Sequence, residues 1–227
     1  MKALPYQLLI FDWDGTLMDS EARIVDCLSA ACLDHGFTPP PNEQLKDVIG
    51  LGLREALKKL HPEENETVIE KLADSYRQQY LESNQTHSEL FPGVKELLEV
   101  LEQQGYWLAI ATGKGRQGLD MVLQETQLHS RFHITRCASE TCSKPHPQML
   151  EEILQFTGLE AHQALMIGDT EYDMEMAKNA KIDALAVSYG VHAVDRLLKH
   201  KPVDCLHDIR ELPDCLNKLN QEQNNDR

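Results

Sequence analysis

Hydrophobic residues occur along the chain in short blocks, and the spacing within these blocks changes from one part of the sequence to another. The first block, Gln7–Phe11, is almost wholly apolar and lies between Pro5 and a polar stretch that begins at Asp12. An uninterrupted apolar run of this length is typical of a strand that is covered on both faces of a sheet. The first predicted element is therefore a buried strand.

The next part of the chain has the spacing of amphipathic helices. Ser20 is the expected N-cap of a helix that ends at His35-Gly36. Further helices are predicted over Glu43–Ile49, Leu53–Leu60 and Glu66–Leu81. The segment Leu17–His87 contains no predicted strand, so we expect an all-helical insertion here.

After Phe91 the pattern alternates between strand and helix. Strands are predicted over Tyr106–Ala111, Phe132–Cys137, Ala164–Ile167, Ala184–Val187 and Val203–Leu206. Helices are predicted over Val94–Gln103, Gly115–Glu125, Pro147–Phe156, Tyr172–Asn179 and Ile209–Leu219. This alternation predicts a parallel sheet with crossover helices. The expected fold is therefore α/β, with a Rossmann-like parallel sheet core at residues 1–16 and 88–227 and an inserted all-helical domain at residues 17–87.

Composition narrows the class of protein. The 227 residues, 41% hydrophobic and 26% charged, suit one globular domain with a smaller insertion. The formal net charge of −15 disfavours nucleic acid and anionic membranes as partners, because both bind basic surfaces. No apolar run approaches the ~20 residues of a membrane-spanning helix. Because the first residues also lack the apolar core of a signal peptide, we expect a cytoplasmic protein.

The cysteines do not follow the spacing of a metal or redox site. Six are present, and no two are arranged as Cys-x-x-Cys. We expect reduced thiols, with Cys27 and Cys32 packed as small hydrophobic groups on one helix.

Polar residues follow four of the predicted strands. These strand ends carry Asp12-Trp13-Asp14-Gly15-Thr16, Thr112-Gly113-Lys114-Gly115, Lys144-Pro145, and Gly168-Asp169-Thr170 followed by Asp173. Ligands of open parallel sheets bind beyond the carboxyl ends of the strands. We therefore expect these four groups to form one site.

The residue types at this site point to phosphoryl transfer. Asp12 and Asp14 lie on the same side of an extended segment, and neighbouring carboxylates repel unless a cation or a proton intervenes. Asp169 adds a third carboxylate, and such oxygen-rich sites suit Mg²⁺. Lys144 and Thr112 offer the donors that a transferring phosphoryl group needs. Asp12 could then act as a nucleophile and a second carboxyl as a general acid and base.

In their order along the chain, these motifs resemble the four signatures of haloacid dehalogenase superfamily phosphatases. The first signature is Asp12-Trp13-Asp14-Gly15-Thr16 followed by Asp19, and the other three begin at Thr112, Lys144 and Gly168. The helical insertion is similar to the mobile cap of the phosphoglycolate phosphatase and β-phosphoglucomutase branch. We call residues 17–87 the cap and the rest of the chain the core.

The resemblance implies a role for each motif residue. It implies that Asp12 is the nucleophile and that Asp14 is the general acid and base. It implies Mg²⁺ as the cofactor, held by Asp12, by the main-chain carbonyl of Asp14, by Asp169 and by Asp173. It also implies that Thr112, Gly113 and Lys144 line the phosphoryl group. For Asp173, a simple helix-dipole role at the start of a helix stays open.

Two positions depart from the family pattern. Trp13 stands where Phe, Leu or Met is commoner, a departure that we expect the site to tolerate while becoming narrower. Gly113 stands where Asn or Ser often follows the threonine, so a side-chain donor to the substrate is missing.

One loop of the cap is a candidate for substrate recognition. The glycines of Gly50-Leu51-Gly52 precede Arg54, which would bind the far end of the substrate if this loop were lowered onto the site. The alternative, that Arg54 is a solvated surface residue, is slightly favoured, and Arg23 is a second candidate for binding the substrate. Linkers near Leu17 and Ser88 are the predicted hinges of the cap.

The predicted function is a phosphatase of small, soluble phosphate monoesters that are phosphoglycolate- or sugar-phosphate-like, in a monomer or homodimer. A phosphomutase of the β-phosphoglucomutase type is the alternative, and a non-enzymatic binding protein is less favoured because no catalytic residue is lost. Two hypotheses about the histidines are less favoured. One is a zinc site at His129 and His133, and the other is a catalytic role of His146.

Overall fold

The computed structural model describes residues 6–225 of the 227-residue chain. The strands are β1 (Leu8–Phe11), β2 (Met18–Asp19), β3 (Glu89–Leu90), β4 (Trp107–Thr112), β5 (Ile134–Cys137), β6 (Ala164–Gly168), β7 (Asp183–Val187) and β8 (Cys205–Leu206). The helices are α1 (Glu21–Asp34), α2 (Asn42–Lys46), α3 (Leu53–Leu60), α4 (Glu66–Gln78), α5 (Val94–Gln103), α6 (Arg116–Thr126), α7 (Gln148–Thr157), α8 (Glu171–Ala180), α9 (Val194–Leu198) and α10 (Leu212–Asn225). A π-helical turn, Gln79–Ser83, continues α4, and short 3₁₀ turns occupy Ala161–Gln163 and Ile209–Glu211.

Six strands form one parallel sheet in the order β5-β4-β1-β6-β7-β8. β1 lies in the middle of it and pairs with β4 on one side and β6 on the other. All four of its residues are buried, as the apolar run in the sequence predicts. The parallel sheet core is thus confirmed.

Helices cover both faces of the sheet, because side chains alternate between the faces along each strand. Leu9 and Phe11 face a layer formed by α5, α6 and α10. Leu8 and Ile10 face the opposite layer, formed by α7 and α8. This arrangement leaves the carboxyl ends of the strands as the place where loops meet.

The cap has a hydrophobic core of its own, built from α1 to α4 and the π-helical turn. Ile24, Leu28, Leu57 and Leu72 are among its buried residues. Met121 of α6 and Val191 pack against this cluster from the core domain. The inserted helical domain is therefore seated on the sheet core as well as packed within itself.

The prediction that Leu17–His87 contains no strand is wrong. Met18 pairs with Leu90 and Asp19 with Glu89 in a two-stranded antiparallel ribbon of β2 and β3. Each strand has only two residues, which is too short for an alternating pattern, and its partner is distant in sequence. The domain limits at residues 17 and 88 fall at this ribbon and stay a prediction.

Two other elements differ from the predicted ones. α2 ends at Lys46 instead of Ile49. Val48 and Ile49 are still buried, so the apolar pattern in the sequence continues beyond the end of the helix. The five-residue α9 was not predicted, because so short a helix shows little periodicity. The other predicted strands and helices are present with shifts of a few residues at their ends.

The structure also bears on two expectations from the composition, which concern the cysteines and membrane-spanning helices. All six cysteines are free, and Cys27 and Cys32 are buried in the cap. Across residues 6–225, no helix has both the length and the apolar character that crossing a bilayer requires.

Candidate active site

Three carboxylates meet at the carboxyl ends of β1 and β6. Asp12 follows β1, Asp169 follows β6, and Asp173 lies in the first turn of α8. Each offers an oxygen within 4.8 Å of the oxygens of the other two, and all three residues are buried. We call these residues the carboxylate trio. β1 and β6 are neighbours in the sheet, which is why residues so far apart in sequence come together.

The two carboxylate oxygens of Asp12 have different surroundings. Its N–H donates to the carbonyl of Ile167 at 2.9 Å, which extends the pairing of β1 with β6 by one residue. Its Oδ1 accepts a 2.7 Å hydrogen bond from the N–H of Trp13 and lies 2.8 Å from Nζ of Lys144. Its Oδ2 is buried and has no hydrogen-bond partner among the residues that the structure describes. This oxygen is available to a cation or to an electrophile.

Lys144 joins two members of the trio. Its Nζ lies 2.8 Å from Oδ1 of Asp12 and 2.6 Å from Oδ1 of Asp173, and none of the three side chains is more than 1% exposed. Burial by itself lowers the pKa of Lys144, but the charges of Asp12 and Asp173 outweigh this and raise that pKa above its ordinary value. The lysine therefore stays charged and offsets part of the negative charge.

Asp169 is fixed by donors on both oxygens. The hydroxyl of Thr16 donates to its Oδ1 at 2.9 Å, and the N–H of Val191 donates to its Oδ2 at 2.8 Å. Gly15 lies beside it with a φ of +78°, and a Cβ there would lie 2.1 Å from Oδ2 of Asp169. Only glycine leaves room for this carboxylate, and it also permits the left-handed backbone.

Asp173 has hydrogen-bond partners on both of its carboxylate oxygens. It forms a capping box with Thr170 at the start of α8, in which the N–H and hydroxyl of Thr170 donate to its Oδ2 at 3.1 and 2.6 Å. Its other oxygen binds Lys144 at 2.6 Å. The residue is therefore both a helix cap and a member of the trio.

The charges of the trio are not balanced by Lys144 alone. Burial raises the pKa of Asp12 well above its usual range, and the carboxylates of Asp173 and Asp169 add to this against the opposing charge of Lys144. Burial, followed by the charge of Asp173, raises the pKa of Asp169 to about 7. A bound divalent cation would favour the ionised carboxylates. The free oxygen of Asp12 and the all-oxygen donor set fit a hard cation such as Mg²⁺.

Asp14 does not belong to the trio. Its Oδ1 accepts a 2.6 Å hydrogen bond from the hydroxyl of Ser20 and lies 3.0 Å from Nζ of Lys114. Lys114 also donates to the hydroxyl of Tyr80, a cap residue, at 2.8 Å. Sequence reasoning missed Lys114, Ser20 and Tyr80. Lys114 belongs to the second motif, but its contact with Tyr80 becomes visible only when the cap is folded against the core.

A cavity of about 530 Å³ lies between the core and the cap. Asp12, Asp14, Gly113 and Arg54 all line it, so four of the predicted site residues face the same space. Thr112 is buried at the end of β4, where its hydroxyl accepts a hydrogen bond from the N–H of Lys114 at 3.1 Å.

Gly113 is explained by the cap loop that lies against it. A Cβ at this position would lie 2.5 Å from the carbonyl oxygens of both Gly50 and Leu51. The loop is further fixed by the N–H of Gly52, which donates to the hydroxyl of Ser143 at 2.7 Å. The departure from the family pattern thus makes room for the cap backbone.

A second contact between cap and core lies at α8 and α9. The hydroxyl of Tyr172 donates to the carbonyl of Asp47 at 2.6 Å and accepts from Nζ of Lys59 at 2.8 Å. Arg196 binds the carboxylate of Asp47 at 2.5 Å and also pairs with Glu171. These contacts hold the cap against the sheet core.

The remaining candidate residues lie elsewhere or have other partners. Trp13 is wholly buried, packs edge-on against Phe132, and does not line the cavity, so it does not narrow it. Arg54 lines the cavity, but its guanidinium is paired with Glu66 at 2.6 Å and with Glu70. Arg23 donates to the carbonyl of Tyr80 at 2.7 Å.

The histidine alternatives find no support among the described residues. Nδ1 of His133 accepts a hydrogen bond from the N–H of Leu108, and Nδ1 of His146 accepts one from the N–H of Gln148. Within residues 6–225, the carboxylate trio is the one group of three or more potential ligands close enough to hold a metal.

Comparison with known proteins gives matches over most of the chain. A model of the haloacid dehalogenase-like hydrolases matches residues 9–187, which run from β1 to β7 and include all four motifs. A probable phosphatase IndB of Dickeya dadantii (strain 3937) is 34% identical over 201 residues, 86% of this chain and 86% of that protein. A phosphoglycolate phosphatase of Aliivibrio fischeri (strain ATCC 700601 / ES114) is 31% identical over 204 residues, 86% of this chain and 90% of that protein. The crystal structure of a hydrolase from Pseudomonas syringae superposes with a TM-score of 0.84 at 26% identity, covering 93% of this chain and 98% of that one.

Proposed function

The chain belongs to the haloacid dehalogenase-like hydrolase family, and from this premise we propose that it is a Mg²⁺-dependent phosphatase of small phosphate monoesters that works through phosphorylation of Asp12. The observation that carries the proposal is the buried carboxylate trio, in which Oδ2 of Asp12 has no hydrogen-bond partner within residues 6–225. Two relatives named as phosphatases, each more than 30% identical, support the reaction class.

The metal would be held by Asp12, Asp169 and Asp173, together with the main-chain carbonyl of Asp14. When bound, Mg²⁺ would offset the charge of these carboxylates and attract the oxygens of a phosphate group. Asp173 would support the metal while it also pairs with Lys144, whose charge offsets part of the negative charge of this carboxylate.

The first chemical step belongs to Asp12. Its carboxylate attacks phosphorus, and the bond from phosphorus to the leaving oxygen breaks. Thr112, at the end of β4, and Lys144, in the loop between β5 and α7, would hold the phosphoryl oxygens while charge develops on them. Asp14 donates a proton to the leaving oxygen.

The second step belongs to Asp14. It takes a proton from water, which attacks the phosphorus and frees Asp12. Asp14 is suited to this exchange because its carboxylate faces the cavity and is held by Ser20 and Lys114 apart from the trio.

Movement of the cap would admit the substrate and exclude water during the transfer. The ribbon of β2 and β3 joins cap and core and is the natural hinge, near the predicted positions Leu17 and Ser88. Contact between Arg54 and a distal group of the substrate stays a prediction, since Glu66 and Glu70 now engage its guanidinium.

A phosphomutase would share the first step and differ in the second. It would return the phosphoryl group from Asp12 to a sugar instead of to water. Among the contacts of the described residues, nothing specific favours this alternative. Phosphorylation by a sugar bisphosphate, followed by transfer to a sugar, would identify it.

The test of the proposal is Asp12→Asn. The amide keeps an oxygen that can accept from the N–H of Trp13 and from Lys144, so the fold is retained, but it cannot form an acyl phosphate. We expect hydrolysis of 4-nitrophenyl phosphate with Mg²⁺ to fall by at least ~10³-fold. Asp195→Asn, at an exposed position on α9, is the matched control and should keep the wild-type rate. Wild-type turnover by Asp12→Asn would refute the mechanism.

A further inference from the structure

The walls of the cavity away from the carboxylate trio are largely apolar. Its cap side is lined by Ile24, Leu28, Val48, Leu51, Leu53 and Tyr76. Tyr76 stacks on Tyr80 with ring centroids 5.9 Å apart, which gives the cavity an aromatic wall. The volume of about 530 Å³ has the size of a small-molecule site.

Each basic side chain that lines this cavity in the described part of the chain is already paired with a carboxylate. Arg54 pairs with Glu66 and Glu70, Arg77 with Asp74, Lys114 with Asp14, and Arg116 with Glu140 and Asp120. Glu55 adds a further carboxylate to the lining. Among residues 6–225, the cavity therefore offers no unpaired positive charge to the leaving group of a substrate.

The apolar walls and the paired cations of the cavity together favour some leaving groups over others. A negatively charged leaving group would have to displace a carboxylate from its arginine or be desolvated beside acidic side chains, and both cost free energy. An uncharged apolar group gains about 25 cal/mol for each Å² that it buries. We propose that the substrate is a phosphate monoester whose leaving group is uncharged and largely apolar, with room for a ring. This inference rests on the proposed phosphatase function.

The test compares benzyl phosphate with 4-carboxybenzyl phosphate. The methylene group separates the leaving oxygen from the ring, so the two esters differ mainly in the charge at the far end of the leaving group. We expect kcat/KM to be at least about tenfold higher for benzyl phosphate, which corresponds to about 1.4 kcal/mol. Equal values, a preference for the carboxylated ester, or hydrolysis of phosphoglycolate without hydrolysis of benzyl phosphate would overturn the inference.

The same panel keeps the inference apart from the proposal on which it rests. If 4-nitrophenyl phosphate, phosphoglycolate and both benzyl esters all resist hydrolysis with Mg²⁺ present, the phosphatase function itself is wrong, and the inference fails with it. Hydrolysis of any of them retains the phosphatase, and the ranking of the esters then decides the inference.

A second arm changes the charge of the cavity. Glu66→Gln/Glu70→Gln releases Arg54 into the cavity, so the ratio of kcat/KM for 4-carboxybenzyl phosphate to that for benzyl phosphate should rise by about fivefold. Glu99→Gln/Glu102→Gln is the matched control, because it removes the same two charges and releases Arg131, and none of these residues lines the cavity. An equal change of the ratio in both variants, or no change in either, would contradict the inference.

Discussion

At the scale of single residues, the site depends on how three buried carboxylates are tolerated in one place. Lys144 supplies a positive charge that contacts both Asp12 and Asp173, and hydrogen bonds from Thr16 and Val191 fix Asp169. Removing one partner of a buried ion pair leaves an uncompensated charge, which costs more than the intact pair contributes. Lys144 is therefore expected to support the fold as well as the substrate.

The first prediction at this scale concerns that support. Lys144→Met should lower the free energy of unfolding by about 3–5 kcal/mol without Mg²⁺, because Asp12 and Asp173 lose their cation. Urea denaturation at neutral pH measures this. Lys178→Met, at an exposed position on the same helix as Asp173, should change stability by no more than about 0.5 kcal/mol. A loss for Lys144→Met no larger than that of the control would show that the buried pairs contribute little.

The residues of the carboxylate trio could be predicted from the sequence, but the residues that hold the neighbouring Asp14 in place could not. Asp12 and Asp169 each directly follow a strand, and Asp173 lies in the first turn of the helix after β6. The carboxyl ends of parallel strands meet at one edge of the sheet. The partners of Asp14 could not be predicted in this way. Ser20 was expected to cap α1, but its hydroxyl binds Asp14 and makes no side-chain cap bond. Lys114 meets Tyr80 only because the cap folds over the core.

At the scale of elements, the loop at residues 50–52 and the end of β4 determine how closely the cap approaches the core. The carbonyl oxygens of Gly50 and Leu51 occupy the space of a side chain at residue 113. From the sequence alone, Gly113 indicated only that a side-chain hydrogen-bond donor to the substrate is missing. The backbone that lies against it belongs to the cap, so this contact could not be predicted. The ribbon of β2 and β3 was missed for the same reason, since long-range pairing defines it and local pattern does not.

The prediction at this scale is that Gly113→Ser prevents full closure of the cap. The new Cβ would lie 2.5 Å from two backbone oxygens, so the loop must move outward. A displacement of about 1 Å near a reacting group can lower the rate by ~10²-fold, and we expect a loss of kcat/KM of that order. Hydrogen exchange of the loop at residues 48–53 should become faster at the same time.

The matched control lies two residues along the same segment. A Cβ at Gly115 would meet nothing within 4 Å, and the backbone there has an ordinary φ of −75° at the N-cap of α6. Gly115→Ser should therefore leave the exchange rate of the cap loop unchanged. If the two variants behave alike, then crowding by the cap is not the reason for glycine at residue 113.

At the scale of the whole molecule, the net charge of −15 and the buried trio both make a divalent cation a stabilising ligand. The fold class was predictable because alternating strands and helices allow few arrangements, and the sheet order confirms it. What the sequence could not supply was the cavity, since it is formed by side chains from two separately packed units.

The prediction at this scale is that Mg²⁺ raises the melting temperature. A ligand at 100 times its dissociation constant stabilises the folded state by about 2.7 kcal/mol. For a chain of this size that corresponds to a rise of roughly 5–10 °C. Asp169→Asn should abolish most of the rise, whereas Glu99→Gln, at a surface ion pair, should retain it. Equal shifts in both variants would place the cation elsewhere.

The central claim is that Asp12 carries the phosphoryl group during turnover, and chemical trapping tests it most directly. Enzyme that is hydrolysing 4-nitrophenyl phosphate with Mg²⁺ is quenched in acid and treated with borohydride, which reduces an aspartyl phosphate to homoserine, and the modified position is found by peptide mass spectrometry. We expect homoserine at position 12, in larger amounts in Asp14→Asn because that variant lacks the base that activates water. Active enzyme with no modification at position 12, or with the modification at another carboxylate such as Asp169, would contradict the account.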